Sequence, residues 1–207
     1  MSSAYGDFST TTTMRWLPEP RVAPLVPAIE ERVTQFATLI RAANLQEFLD
    51  PLMTRLIHDC FRDAGAHEGV IWLLDSSQRN LLCAYQVGAA SSRLVNFRMP
   101  VDSGMAGMVL ATQQPFCENN LSTNPSAASK LDEVLGMMVC SRILAPFFIS
   151  GQMRGIIACY RTKTGPDAAD PPPFELDSME EVTLLTRLLG RLLDHKLLCA
   201  AIGVDES

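Results

Sequence analysis

Two short runs constrain this chain more than anything else in it. Gly69–Asp75 (GVIWLLD) and Gly155–Arg161 (GIIACYR) are apolar on both faces rather than alternating. A strand of that kind belongs inside a sheet that is covered on both sides. Whatever else the chain forms must therefore supply two layers of cover. At 207 residues, with 47% hydrophobic and 19% charged residues, it has the length and the apolar content to do so in one domain with extensions.

The flanking segments supply that cover. Ile29, Val33, Phe36, Ile40 and Ala43 recur at helical spacing, so residues 27–44 read as an amphipathic helix, with Asn44 as its cap. Asp50-Pro51 opens a second helix, with aspartate as N-cap and proline in first position, and Ala64-Gly65 ends it. At the far end, roughly Asp177–Ala201 reads as a long helix. Its apolar residues, from Met179 through Leu184, Leu185, Leu188 and Leu189 to Leu197, sweep an arc of roughly 220° at 100° per residue. A helix on one side of a sheet needs a stripe nearer about 100° wide. The rest of the arc therefore predicts a partner, either the first helix or a second copy of the chain. Gly190, in mid-helix, reads as a close helix–helix crossing.

Between the helices lie hairpins. Leu81–Val87 returns from Gly69–Asp75, Arg93–Met99 reads as a third strand, and Phe116–Glu118 as a brief one. Val139–Ile149 is long and contains Pro146, which predicts an edge or a bulge. Between Val95 and Phe116 the chain turns a corner. Pro100 stops the strand, Asp102 or Ser103 caps a short helix, and Gly104 and Gly107 allow a close approach to the backbone. A polar loop from Asn119 to Pro125 leads to a second short helix over Ser126–Leu135. The order of elements predicts an α+β domain, residues 45–201. A flexible arm, 1–26, anchored only by Trp16 and Leu17, precedes it, and a tail, 202–207, follows.

Composition removes several function classes. A net charge of −6 with no basic run argues against nucleic acid or an anionic membrane surface as a partner. No apolar run approaches the roughly 18 residues that span a bilayer, and no signal peptide is visible, so a cytoplasmic protein is expected. Cys60, Cys83, Cys117, Cys140, Cys159 and Cys199 are scattered with no C-x-x-C, the pattern of reduced, packed thiols. No G-x-S-x-G, H-E-x-x-H or phosphate-binding Gly-Lys loop is present, and no kinase, cyclase or helix-turn-helix segment is left over.

In order, GVIWLLD, LLCAYQVG, MPVDSGMAGMVLATQQPF, ENNLSTNP, CSRILAPFFISGQMRGIIACY and FELDSMEEVTLL resemble the successive blocks of a GAF domain, over about Leu45 to Leu198. The resemblance implies a PAS-like central antiparallel sheet of five to six strands. N- and C-terminal helices would cover one face, and short connecting helices would roof a ligand pocket on the other. It implies a small-molecule sensor acting in signal transduction, non-catalytic, homodimeric through the terminal helices, with a possible separate output protein.

Matching the family's ligand-contacting positions points to Val70, Gln86, Met105, Ala106, Asn120, Leu135, Val139 and Ala158. Trp72 and Tyr160 share faces with Val70 and Ala158. This lining suits a small, largely apolar or aromatic ligand. Bilin and haem are disfavoured, because His58, His67 and His195 are not placed for a pocket ligand bond. The cyclic-nucleotide signature of the family is only echoed by Arg161-Thr162-Lys163 and Phe174–Ser178. The methionine-(R)-sulfoxide reductase branch needs two thiols where this chain has Asn96 and Ala106. The alternative is a ligand-free dimerisation module, its pocket plugged by Met105, Met108, Met137 and Met138.

Overall fold

The computed structural model describes residues 20–21, 23–89, 91–102, 104–121 and 130–204. Most of the predicted arm, with Trp16 and Leu17, lies outside the described residues. So do Ser103, most of the polar loop and the end of the tail.

Six strands form one antiparallel sheet: β1 (Glu68–Leu74), β2 (Asn80–Gly88), β3 (Arg98–Pro100), β4 (Phe116–Glu118), β5 (Met138–Ile149) and β6 (Gln152–Lys163). Their order is β3-β2-β1-β6-β5-β4. The two runs apolar on both faces are therefore the central pair, which is why they carry no alternation. Ile71, Leu73, Ile157 and Cys159 point into one core, and Val70, Trp72, Ile156, Ala158 and Tyr160 into another.

The first core lies under α1 (Val26–Ala37), α3 (Pro51–Asp63) and the long α6 (Leu176–Ile202). The short α2 (Leu45–Phe48) adds Leu45 to it. The second lies under α4 (Gly104–Thr112) and α5 (Lys130–Leu135). The fold is thus α+β, with terminal helices on one face and connecting helices on the other.

α1 stops at Ala37, seven residues before the predicted end at Asn44. Ile40 is still fully buried, but Asn44 reorganises the chain before it. Its side chain accepts from the Arg41 N–H at 2.7 Å and donates to the Leu39 carbonyl at 3.0 Å, making a turn where a helix was predicted.

α3 begins as its sequence dictates, the Asp50 carboxylate accepting from the Met53 N–H at 2.8 Å. That bond, aided by Lys196 Nζ at 3.2 Å, holds the Asp50 carboxyl below its ordinary value of 3.8. A depressed folded-state pKa contributes stability that is complete above the ordinary value and is lost as pH falls through the depressed one. Asp50→Ala is expected to cost about 1 kcal/mol in urea denaturation at pH 7, and the gap should shrink as pH drops below 3.8. A gap that held constant into strong acid would remove the cap from the account.

The third strand is much shorter than its sequence suggests. Ser91–Leu94 is a 3-10 turn and only Arg98–Pro100 pairs, against β2. Leu94 is pulled to full burial in the second core, and Asn96 takes a left-handed φ of 66°, so the run cannot stay extended. Pro100 ends the edge strand, where its missing N–H costs least. Pro146, in contrast, is interior to β5. It lies beyond Leu144, the last position at which β4 pairs, so β6 is its one neighbouring strand, and a register shift follows at Phe147/Phe148.

The wide arc of α6 is largely used inside one chain. Val182, Leu185, Leu189, Leu193 and Leu197 are buried against the sheet and its neighbouring helices, while Leu184 and Leu188 remain exposed. Gly190 is not a helix–helix crossing. A Cβ there would sit 2.6 Å from the Phe148 carbonyl oxygen of β5.

Candidate functional site

The sheet face away from the terminal helices forms the floor of a chamber. Strand register arranges its residues in rows. One row runs Phe116, Leu144, Ala158, Val70, Gln86, apolar until its last member. The next runs Glu118, Arg142, Tyr160, Glu68, Gly88, and is polar. Trp72 lies on the other side of the apolar row, opposite Ile156 and Cys83. Val109 and Ala106 of α4, Leu131 and Leu135 of α5, and Leu94 and Leu121 form the roof.

Seven of the ten predicted positions meet in this one core: Val70, Trp72, Ala106, Leu135, Val139, Ala158 and Tyr160. Met105 packs against it, half-buried. Gln86 stands opposite Val70, and its Oε1 accepts from the Cys83 thiol at 2.7 Å. Asn120 is exposed and adopts a left-handed φ of 62°.

The deepest polar feature is a pair. Trp72 Nε1–H donates to the Tyr160 hydroxyl at 3.2 Å, and the two residues are 0% and 1% exposed. Phe97 meets the indole edge-on, with ring centroids 6.0 Å apart. Burial raises the phenol's pKa well above its ordinary range, so it stays protonated. Burial also pushes the Cys83 thiol up to about 12, which makes it a poor nucleophile near neutral pH. All six cysteines are free.

The chamber is packed. Met105 and Met137 lie against its core, whereas Met108 is exposed. Among the described residues, two clefts of appreciable volume lie elsewhere, and neither touches any of the ten predicted positions. One, of about 350 Å³, runs between α1 and α6 beside Asp194 and Leu198. The other, of about 240 Å³, opens at one end of the sheet between Glu68, Met137, Thr162 and Lys163. Thr162 and Met137 also touch each other, the hydroxyl donating to the thioether at 3.4 Å.

The corner between β3 and α4 has a structural explanation. A Cβ on Gly107 would fall 2.3 Å from the Val101 carbonyl oxygen, so the close approach comes from the chain itself. The basic residues that echoed a nucleotide signature are committed too. Arg161 donates to four backbone carbonyls, and Lys163 pairs with Asp170 at 2.7 Å. His58 contacts the Tyr85 hydroxyl at 2.9 Å on the helix side of the sheet, His195 sits beside Cys199, and His67 stands at the rim of the smaller cleft.

Three residues of the polar row, Glu118, Arg142 and Glu68, were not singled out from the sequence. Glu118 Oε2 accepts from Arg142 Nε at 3.0 Å and Nη2 at 2.6 Å. The one visible signal was a lone arginine in a strand that, Ser141 aside, is otherwise apolar. Among the described residues, no group of three or more His, Cys, Asp or Glu is placed to hold a metal ion, and no helix is long and apolar enough to cross a membrane.

A family model for the GAF domain matches residues 42–194. Among solved structures, the chain is similar to a fragment of a methyl-accepting chemotaxis protein, at 14% identity and a TM-score of 0.53, covering 83% of this chain and 97% of that one. It is also similar to the GAF domain of a phosphoenolpyruvate-protein phosphotransferase from Coxiella burnetii, at 16% identity and a TM-score of 0.52, covering 87% and 98%. A GAF domain/HD domain protein from Geobacter sulfurreducens matches at 16% identity and a TM-score of 0.52, covering 77% and 99%. At these identities the likeness speaks for the fold. No curated protein matches the sequence.

Proposed function

The chain belongs to the GAF domain family, and on that premise we propose that it is a non-catalytic, small-molecule-sensing module of a signalling system. The observation that carries this reading is the buried Trp72–Tyr160 pair. It sits on a chamber floor roofed by two short helices of nine and six residues, elements that can shift at low cost, while the long helices close the opposite face. A ligand settling on the indole and phenol displaces α4 and α5. The sheet then passes the change to α6, whose Leu184 and Leu188 are exposed.

In this reading two copies pair through α1 and α6 and act on a separate output protein in the cytoplasm, a reducing compartment in keeping with six free thiols. Haem, bilin, nucleic acid and membrane have no part in it.

A second reading is favoured by the packing itself. Val70, Trp72, Leu135 and Ala158 are all fully buried, and both clefts lie elsewhere. A chamber that stays closed makes the protein a ligand-free interaction module. Native mass spectrometry of the purified full chain, with thermal shift against nucleotides, amino acids and small aromatics, separates the two. A ligand at 100 times its Kd adds about 2.7 kcal/mol, which for a chain of this length raises Tm by roughly 5–10 °C. No co-purifying molecule and no shift across the library leaves the interaction module. Both readings expect a dimer in sedimentation, and a monomer at micromolar concentration counts against the pairing.

A further inference from the structure

Arg142 is the one cation among the described residues of the chamber floor. β5 is otherwise apolar along most of its length, and register sets Arg142 directly opposite Tyr160 on the neighbouring strand. Facing residues of adjacent strands stand about 5 Å apart at Cβ and share a face.

The arginine is held in one orientation. Its Nε–H, at 3.0 Å, and an Nη2–H, at 2.6 Å, both go to a single oxygen, Oε2 of Glu118. That oxygen occupies the side-on fork of the guanidinium. The end-on edge, formed by one N–H of Nη1 and the second N–H of Nη2, has no acceptor among the described residues. A planar guanidinium offers five donors, and its end-on edge matches the two oxygens of a carboxylate. The side chains of Arg142 and Glu118 are 22% and 30% exposed, so the pair is partly shielded from solvent.

Tyr160 repeats the imbalance. Its hydroxyl accepts from Trp72, but among the described residues nothing accepts its own proton, and it is 1% exposed. A buried donor without an acceptor is costly to the fold. Two adjacent residues on the floor thus have donors to spare, and the row beside them, Leu144, Ala158 and Val70, is apolar.

We propose that the chamber takes a small hydrophobic carboxylic acid. Its carboxylate sits on the end-on edge of Arg142 with the Tyr160 O–H as a further donor, and its hydrocarbon or aromatic body lies over Leu144, Ala158 and Val70. Glu118 is a positioning residue that fixes the guanidinium. Glu68, at the other end of the polar row, sets direction, since an acid group turned toward β1 would meet a carboxylate. The proposal rests on the reading of the chamber as a ligand site.

Three probes with one body and three charges test it: phenylacetate, phenylacetamide and phenethylamine, titrated calorimetrically into the full chain. Phenylacetate is expected to bind roughly tenfold or more tighter than the amide, the margin of a charge-assisted pair, and the amine more weakly than either. Arg142→Gln should erase the preference for acid over amide while leaving amide binding in place, and Tyr160→Phe should weaken phenylacetate by a smaller factor. If the glutamine variant does not fold, the order of the three probes on the unaltered protein decides alone. An amide or amine that binds as tightly as the acid overturns the proposal, as does an Arg142→Gln protein that still prefers the acid. If none of the three binds while another compound of the wider library does, the carboxylate proposal falls and the sensor stands. If nothing in the library binds, both fall.

Discussion

Replacing Arg161 by alanine is expected to cost about 4 kcal/mol of stability, from the loss of several charge-assisted hydrogen bonds at once. The guanidinium reaches three parts of the fold. Nε donates to the Gly65 carbonyl at 3.0 Å and Nη2 to the Ala64 carbonyl at 2.9 Å, at the C-terminus of α3. Nη1 donates to the carbonyls of Pro172 and Pro173, both at 2.8 Å, in the loop leading to α6. Its carbon lies 4.2 Å above the centre of the Phe174 ring. The positive charge also faces the negative end of the α3 dipole.

Proline supplies carbonyls but no N–H, so the stretch around Pro172 and Pro173 depends on an outside donor. Arg161 is that donor, and it ties the helix preceding the sheet to the helix following it. Arg161→Lys is expected to recover little, because an ammonium cannot reach four acceptors spread around a plane. Urea denaturation should show a lower midpoint at an unchanged slope for both variants. A lysine variant within about 1 kcal/mol of the original would mean that charge alone suffices, and would sink the clamp.

That arginine shows how the sequence can point to a residue and hide its role. Arg161-Thr162-Lys163 echoes a nucleotide-binding signature, yet the carbonyl partners of Arg161 at Pro172 and Pro173 are backbone atoms that carry no residue-type signal. Legibility elsewhere followed the same division. β1 and β6 were readable because burial on both faces demands apolar residues at every position, and α3 because Asp50-Pro51 is a local signal. Val70 with Trp72, and Ala158 with Tyr160, could be assigned to one face because those stretches run without interruption on a strict period of two.

β2 broke that period. Ile71 faces Tyr85 and Trp72 faces Cys83, leaving Ala84 as an extra residue. Ala84 and Tyr85 both contribute to the helix-side core, so Cys83 and Gln86, three apart in sequence, share the chamber face. No periodicity announces such a bulge. Arg142 was visible as a misfit in an apolar strand, but its partner Glu118 lies on a strand of three residues whose register only the folded sheet reveals. The chamber was legible as a set of apolar positions. Its polar row was not, because that row is made by pairing between strands distant in sequence.

Gly190→Ala tests the other inter-element contact the sequence suggested and misassigned. On an isolated helix the change should stabilise by about 1 kcal/mol, since glycine is a poor helix former. Here it is expected to destabilise by about 2–3 kcal/mol net, because a backbone atom that cannot turn aside blocks the new methyl group. A Cβ on Gly190 would lie 2.6 Å from the Phe148 carbonyl oxygen and 4.0 Å from the Phe147 ring. Ordinary contact begins near 3.4 Å, so α6 has to lift from β5 by most of an ångström. Lifting it loosens Leu185, Leu189 and Leu193 together, all of them at most 1% exposed. Arg191→Ala, one residue along on the exposed face, gains helix propensity without that contact and should stay within about 0.5 kcal/mol of the original. The prediction is therefore a reversal of sign against helix propensity, measured by denaturant unfolding of both variants. An alanine at position 190 that raised stability would mean that α6 rides higher on the sheet than the 2.6 Å approach requires, and its glycine would need another explanation.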